Sequence, residues 1–145
     1  MEENIKNLNE FLCDLEVMAV KLQNYHWNVQ GKEFFVLHAK LEEYYDKIRE
    51  HLDEIAELIL AKGYQPIGTM KGFVENSKIQ EAEDKKVKCE EIYNNIIEDF
   101  GTLQQKANEI KQSADNLSDY ETSSIIDSYL CEYSKILWML NESNK

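Results

Sequence analysis

The sequence predicts an all-α protein, a bundle of four long helices with one long crossover connection. One proline and five glycines in 145 residues leave few helix breakers, and 43% of the residues are hydrophobic. Apolar residues recur at intervals of three and four in four separate stretches, as expected for helices that each bury one face. We therefore expect a single domain over residues 1–145 with a substantial core.

Each predicted helix is defined by its apolar stripe. The four stripes run from Ile5 to Val29, from Phe34 to Ile59, from Cys89 to Ile110 and from Ile126 to Leu140. Gly63 is suited to end the second helix, because glycine readily adopts the left-handed conformation that follows a helix. Ser118 and Glu121 match a capping box that would begin the fourth helix.

The connections between the helices differ in length. Short turns join the first helix to the second and the third to the fourth, whereas "GYQPIGTMKGFVENS" is a long middle link with one short helix predicted at "TMKGFVEN". A four-helix bundle with one long crossover is the ferritin-like arrangement.

Composition and charge exclude several functional classes. The chain has 28 acidic and 16 basic residues, a formal net charge of −12, which repels nucleic-acid phosphates and attracts cations. No apolar run approaches the ~20 residues that span a membrane, and "MEENIKNLNE" does not resemble a signal peptide, so we expect a cytoplasmic protein. Cys13, Cys89 and Cys131 are widely spaced, which predicts reduced thiols that fill small spaces in the core.

The candidate metal ligands lie in the stretch "NYHWNVQGKEFFVLHAKLEEYYDKIREHLDEIAELILAKG", which contains every histidine of the chain. His38 and Glu42 are four residues apart on the second helix, and so are Asp53 and Glu57, so each pair projects from one face. Imidazole nitrogen with carboxylate oxygen suits iron(II), zinc or manganese. Gly31 permits a turn that returns His26 toward His38.

The two pairs are too far apart to bind one ion within one chain. Fifteen residues separate His38 from Asp53, which is roughly 22 Å along a helix, yet both pairs face nearly the same side. Two copies of this helix that pack antiparallel about a two-fold axis near Lys47 and Ile48 would bring each pair opposite the other pair of the partner. The sequence therefore predicts two identical sites between two subunits.

Simpler interpretations remain open for each residue alone. His26 lies on the apolar stripe and suits a core histidine, while Asp53 and Glu57 suit a solvated helix face. His51 points away from the Asp53–Glu57 direction, and we expect it to be exposed. Trp27 suits plain packing. The di-iron site inside one bundle, built on Glu-x-x-His motifs, is absent because no glutamate stands three residues before a histidine.

The sequence resembles the Dps family of miniferritins, the DNA-protecting proteins of starved cells. The resemblance rests on "NYHWNVQGKEFFVLH" and "DEIAE", and it continues through "GYQPIGTMKGFVENSKIQE" to "ILWML". It implies a hollow dodecamer that acts as a ferroxidase: iron(II) is oxidised by hydrogen peroxide, or oxygen, at one- or two-iron sites on two-fold interfaces, and iron(III) is stored in the cavity. By resemblance the metal ligands are His26, His38, Glu42, Asp53 and Glu57.

The sequence departs from the usual family pattern at two positions, and it offers three candidate residues for an iron(II) entry pore. Glu42 stands where the family usually has aspartate, and Leu58 where it commonly has arginine. Loss of the arginine charge would weaken metal affinity, because residues around the ligands orient them. Carboxylates near the start of the fourth helix are candidates for an iron(II) entry pore: Asp119, Glu121 and Asp127.

Two alternative functions differ from the ferroxidase prediction. One is a catalytically weakened ferritin-like shell, spoiled by the two departures. The other is a structural protein that binds nucleoid DNA, but the terminal segments "MEENIKN" and "NESNK" carry little positive charge. We therefore expect no direct DNA binding and protection through removal of iron and peroxide.

Overall fold

The computed structural model describes all 145 residues and confirms the predicted ferritin-like bundle. Two-residue strands β1 (Val29–Gln30) and β2 (Val87–Lys88) pair in parallel. The four long helices and the short helix of the crossover, α3, are α1 (Glu2–Asn28), α2 (Phe34–Ala61), α3 (Met70–Asn76), α4 (Cys89–Asn116) and α5 (Tyr120–Ser143). None of the helices combines the length and apolarity needed to cross a membrane.

The core lies between the long helices, where the predicted stripes meet. Helix α1 packs along α2 and α4, and α4 packs along α5. The side chains of Leu8, Leu41, Ile96 and Tyr133, one from each helix, are fully buried. Burial of such side chains, about 1.5–3 kcal/mol for each large apolar one, is the main stabilising contribution to a helical bundle.

The turn from α1 to α2 depends on Gly31. Its φ of +130° lies in the left-handed region that disfavours residues with a Cβ atom, and an added Cβ would lie 3.3 Å from the Sγ atom of Cys89. At the other end of α2, Gly63 has a φ of +87°, as predicted for the residue that follows a helix.

The crossover is fixed to the bundle by a buried carboxylate of α1. Asp14 is 1% exposed and accepts hydrogen bonds from Ser77 Oγ at 2.9 Å and from the backbone N–H of Lys78 at 2.7 Å. The pairing of Val29 with Val87 joins the end of the crossover to the α1–α2 turn. The strand pairing holds the end of the crossover beside the turn that carries the candidate site, whereas Asp14 fixes the crossover to the middle of α1.

The start of α5 differs from the predicted capping box. Ser118 has a φ of +55°, which is incompatible with the extended conformation of an N-cap residue. Asp119 caps the helix instead, accepting from the Thr122 backbone N–H at 3.3 Å and from Thr122 Oγ1 at 2.7 Å. It also pairs with Lys62 Nζ at 2.7 Å and is buried, so the prediction of Asp119 as a pore residue is wrong. Glu121 and Asp127 remain exposed.

Candidate metal centre

The end of α1 and the start of α2 bring two histidine rings into direct contact. The rings of His26 and His38 stack with their centroids 3.8 Å apart and an angle of 14° between their planes. The Gly31 turn makes this contact possible, as the sequence indicated. His26 is 7% exposed, and His38 is half-buried. The pair therefore lies at the edge of the core and opens toward the surface of α2.

The backbone fixes the tautomer of both rings. The Nδ1 atom of His26 lies 2.6 Å from the carbonyl oxygen of His38, and the Nδ1 atom of His38 lies 2.7 Å from the carbonyl oxygen of His26. A carbonyl oxygen only accepts, so each Nδ1 must carry the proton and donate it. In the neutral rings both Nε2 atoms keep a lone pair, which is the form of histidine that binds a metal.

Glu42 adds a carboxylate beside this pair. Its Oε1 atom lies 3.4 Å from His26 Nε2, and its side chain is 57% exposed. A lone pair on nitrogen and a carboxylate oxygen repel one another unless a cation lies between them, so the arrangement suits a bound metal ion. Two imidazoles and one carboxylate form a donor set suited to iron(II).

Aromatic side chains hold the two rings in place. The ring of Phe34 stacks on His38 at 4.9 Å, and Tyr45 meets His26 edge-on at 5.5 Å. Arg49 lies over the ring of Tyr45 at 4.7 Å and donates a hydrogen bond to Gln23 of α1. These supporting residues are not predicted from the sequence. The spacing of Phe34 four residues before His38 was an available signal, whereas nothing in the sequence relates Tyr45 to His26.

The second predicted pair lies elsewhere on α2. Asp53 and Glu57 are exposed and one turn apart, and the nearer of them, Asp53, is about 22 Å along the helix from His38. No group of three or more His, Cys, Asp or Glu side chains of the chain is arranged to hold a metal ion. One chain thus brings His26 into contact with His38 and with Glu42 without completing a metal site, and it leaves the other two predicted ligands apart from them.

His51 is buried, and the prediction that it is exposed is wrong. It is 2% exposed, its Nδ1 lies 3.0 Å from the hydroxyl of Tyr133, and its Nε2 lies 2.6 Å from Glu132 Oε2. The side chain does point away from Asp53, but that direction leads to α5 rather than to solvent. Burial lowers the pKa of His51, although the carboxylate of Glu132 opposes the shift. With both nitrogens engaged, His51 has no free metal-binding atom.

Three smaller predictions also have a structural outcome. Trp27 is 63% exposed, so it does not pack in the core of its own chain. Leu58 is buried among the core side chains, so it does not lie on the exposed face with Asp53 and Glu57. Of the cysteines, only Cys13 is a core residue, and burial raises its pKa to about 11; Cys131 is exposed.

The fold is that of a ferritin-like protein, and comparisons with known proteins agree. The family model described as Ferritin-like domain matches residues 5–144. A protein from Bacillus anthracis named DNA protection during starvation protein 2 is 39% identical over 136 residues, which cover 94% of this chain and 92% of the relative. A second relative, from Brevibacillus brevis, is named DNA protection during starvation protein. It is 35% identical over 133 residues, which cover 92% of this chain and 89% of the relative.

The solved structures point to the same family. Dps from Vibrio cholerae, described as a member of a broad superfamily of ferritin-like diiron-carboxylate proteins, is 33% identical, with a TM-score of 0.95 over 99% of this chain and 90% of that one. Dps from Staphylococcus aureus has a TM-score of 0.96 at 30% identity, over 100% and 97% of the two chains. The chain belongs to the Dps family of miniferritins.

Proposed function

We propose that this protein oxidises iron(II) with hydrogen peroxide and stores the iron(III) product in a hollow homo-oligomer, protecting the cell from oxidative damage. The observation that carries the proposal is the stacked pair of His26 and His38, whose Nε2 atoms are both left free by the backbone beside the carboxylate of Glu42. Iron is the substrate of this reaction, and the same donor set would bind it before oxidation.

The site is proposed to be completed by a second copy of the chain. His26, His38 and Glu42 supply three donors, one or two fewer than a four- or five-coordinate iron requires. Asp53 and Glu57 are exposed carboxylates on nearly the same side of α2. Antiparallel contact of two α2 helices would add Asp53 and Glu57 of the partner subunit to the site, and symmetry would create an identical second site.

The ligand types account for the direction of the chemistry. Carboxylates and imidazoles bind iron(III) more tightly than iron(II), so binding favours loss of an electron. Two iron(II) ions held together can give two electrons to one hydrogen peroxide, which yields two iron(III) and two hydroxide ions. A single iron(II) would instead give one electron and release a hydroxyl radical. The pairing of two irons is therefore the protective part of the proposed reaction.

Exposed apolar side chains support an oligomer. Phe35 is 84% exposed, Val36 62% and Trp27 63%, all near the candidate site, while Tyr120 and Trp138 of α5 are 73% and 62% exposed. Large apolar groups clustered on a surface usually mark a protein–protein contact. We propose a dodecamer built from two-fold dimers, located in the cytoplasm, with a mineral core inside.

The test is anaerobic addition of iron(II) followed by hydrogen peroxide, with iron(III) absorbance as the readout. We expect rapid oxidation by the wild type. His38→Ala and Asp53→Ala should each lower the initial rate by more than about 100-fold, because loss of a ligand costs more than loss of a residue that only orients a ligand. Glu43→Ala is the matched control, because Glu43 is an exposed carboxylate next to Glu42 that pairs only with Lys40. It should oxidise iron at the wild-type rate.

The competing interpretation is a shell with a weakened centre. It is favoured by the length and 57% exposure of the Glu42 side chain, and by the burial of Leu58 away from the carboxylates. A wild-type rate equal to that of a protein-free control would support this interpretation and contradict the proposed ferroxidase activity.

A further inference from the structure

A second polar cluster lies inside the bundle, behind the candidate metal centre. It contains Tyr133 and Glu132 of α5 and His51 of α2, and we call it the Tyr133 relay. Tyr133 is fully buried, His51 is 2% exposed, and the side chain of Glu132 is 38% exposed at the protein surface. These residues connect a phenol in the core to solvent, and no step of the proposed iron oxidation uses them.

The contacts define the direction in which a proton can move. Glu132 Oε2 is buried, has no hydrogen-bond partner, and lies 2.6 Å from His51 Nε2, so the carboxylate contact favours a proton on that nitrogen. The Tyr133 hydroxyl is fully buried, and its one hydrogen-bond partner is His51 Nδ1 at 3.0 Å. A buried phenol that did not donate its proton would be left unsatisfied, so Tyr133 donates to a lone pair on Nδ1.

The tautomer of His51 is therefore the opposite of that of the metal-centre histidines. His26 and His38 carry their proton on Nδ1, whereas His51 carries it on Nε2. The order of groups is phenol, imidazole and carboxylate, each able to pass a proton to the next. Tyr129 fixes the imidazole by stacking on it at 3.8 Å with an angle of 17° between the planes.

The relay lies at the level of the exposed carboxylates but on the opposite side of α2. His51 precedes Asp53 by two residues, which corresponds to about 3 Å along the helix and about 200° around it. The helix body, about 10 Å across, therefore separates the phenol cluster from the face proposed to bind iron. This places an oxidisable group close to the reaction while keeping it out of solvent.

We propose that Tyr133 is a redox-active residue that gives one electron to a one-electron oxidant formed at the α2 face, while its phenolic proton passes to His51 Nδ1. This inference rests on the proposed function for the source of the oxidant in the cell. Burial raises the pKa of Tyr133 well above its usual value, so the phenol is protonated and cannot be oxidised easily unless a base takes its proton.

The step balances with a hydroxyl radical as the oxidant. A single iron(II) that reduces hydrogen peroxide breaks the O–O bond and gives iron(III), hydroxide and the hydroxyl radical. One electron from Tyr133 converts that radical to hydroxide and leaves a neutral tyrosyl radical. The phenolic proton moves to His51 Nδ1, the Nε2 proton moves to Glu132, and a proton released to solvent converts the hydroxide to water.

The first arm of the test needs no iron. The full-length protein is mixed with photogenerated tris(bipyridine)ruthenium(III), a one-electron oxidant, and the tyrosyl radical is recorded by electron paramagnetic resonance. We expect a long-lived radical in the wild type and its loss in Tyr133→Phe. His51→Gln keeps a polar side chain but removes the base, and should slow radical formation by about 100-fold, the lower range for a positioned base. A solvent deuterium isotope effect on radical formation should appear in the wild type and be absent in His51→Gln.

Tyr25→Phe is the matched control. Tyr25 is 3% exposed, but its hydroxyl accepts a hydrogen bond from the amide of Asn95 at 2.9 Å rather than facing a base. This variant should retain the wild-type radical yield. Equal radical yield in the wild type and Tyr133→Phe would overturn the proposal, and so would a wild-type rate in His51→Gln.

The second arm uses less than one iron(II) per site, with hydrogen peroxide. We expect the same Tyr133 radical, and iron oxidation without it would overturn the inference while leaving the proposed function intact. If no iron is oxidised, the proposed function fails, and the iron-free arm alone decides whether Tyr133 is redox-active.

Discussion

His26 and His38 hold each other in the metal-binding tautomer, because the Nδ1 atom of each ring donates to the backbone carbonyl of the other. Each histidine thus supplies the orienting group that a metal-bound histidine usually receives from a separate residue. The arrangement needs the end of one helix and the start of the next to lie side by side. The Gly31 turn supplies that approach.

The interface site predicts complementation between two inactive variants. His38→Ala and Asp53→Ala should each be inactive alone, but a mixed dimer would contain one site built from the intact His38 of one chain and the intact Asp53 of the other. Random reassembly of equal amounts should restore about one quarter of the wild-type rate, since half of the dimers are mixed and each has one intact site. The measurement is iron(III) formation after denaturation and joint refolding.

The control for this experiment is a mixture of His38→Ala with His26→Ala. Both changes affect the same half of the site, so no combination of subunits restores it. Recovery in this control, or no recovery in the test mixture, would contradict a site shared between two chains.

Glu42 is predicted to bind iron despite its greater length than the aspartate usual in the family. Its carboxylate oxygen lies 3.4 Å from His26 Nε2, so Glu42→Ala removes a donor from the site. We expect anaerobic iron(II) affinity to fall at least about tenfold in this variant, whereas Glu42→Asp should retain binding. Anaerobic titration calorimetry measures both. Unchanged affinity in Glu42→Ala would exclude this carboxylate from the ligand set.

Asp119 is predicted to make stability depend on pH. Burial by itself raises the pKa of Asp119, but hydrogen bonds from Lys62 and Thr122 outweigh it and hold the pKa below its usual value. A lowered pKa in the folded state stabilises the protein above about pH 4, and this contribution is lost as the pH falls through the folded value. Asp119→Ala should lower the free energy of unfolding at pH 7 by about 2–4 kcal/mol.

Asp119→Asn separates the two roles of this residue. Asparagine is also a good helix cap, so this variant should lose only the charge interaction with Lys62. Urea unfolding at equal protein concentration should show a stability gap between wild type and Asp119→Asn at pH 7 that narrows below about pH 4. A gap that is constant with pH would mean that the ion pair does not contribute.

Protection of DNA is predicted to occur without DNA binding. The chain carries a formal net charge of −12, which repels nucleic-acid phosphates. We expect no gel shift at physiological salt, even at micromolar protein. That concentration would reveal the tightest ordinary non-specific binding, whose Kd is about a micromolar. Plasmid cleavage by iron(II) and hydrogen peroxide should nevertheless be suppressed by the wild type and not by His38→Ala. A gel shift in the absence of divalent cations would refute this expectation.

Local patterns were enough to predict most of the fold. The apolar stripes, the short turns and the long link between Gly63 and the third long helix predicted the bundle and its crossover, because helical periodicity is a property of neighbouring residues. The position of each candidate ligand pair on one face of α2 follows from the same periodicity. The separation of His38 from Asp53 also follows, since the rise per residue is constant.

Only the tertiary structure decided what each helix face meets. The direction of His51 away from Asp53 predicts an exposed side chain, yet α5 covers that side of α2 and supplies Tyr133 and Glu132. The position of Asp119 against Lys62, and the tautomers of His26 and His38, likewise depend on groups distant in the sequence or on backbone atoms. Periodicity gives the orientation of a side chain on its helix, but its partners are set by how the helices pack.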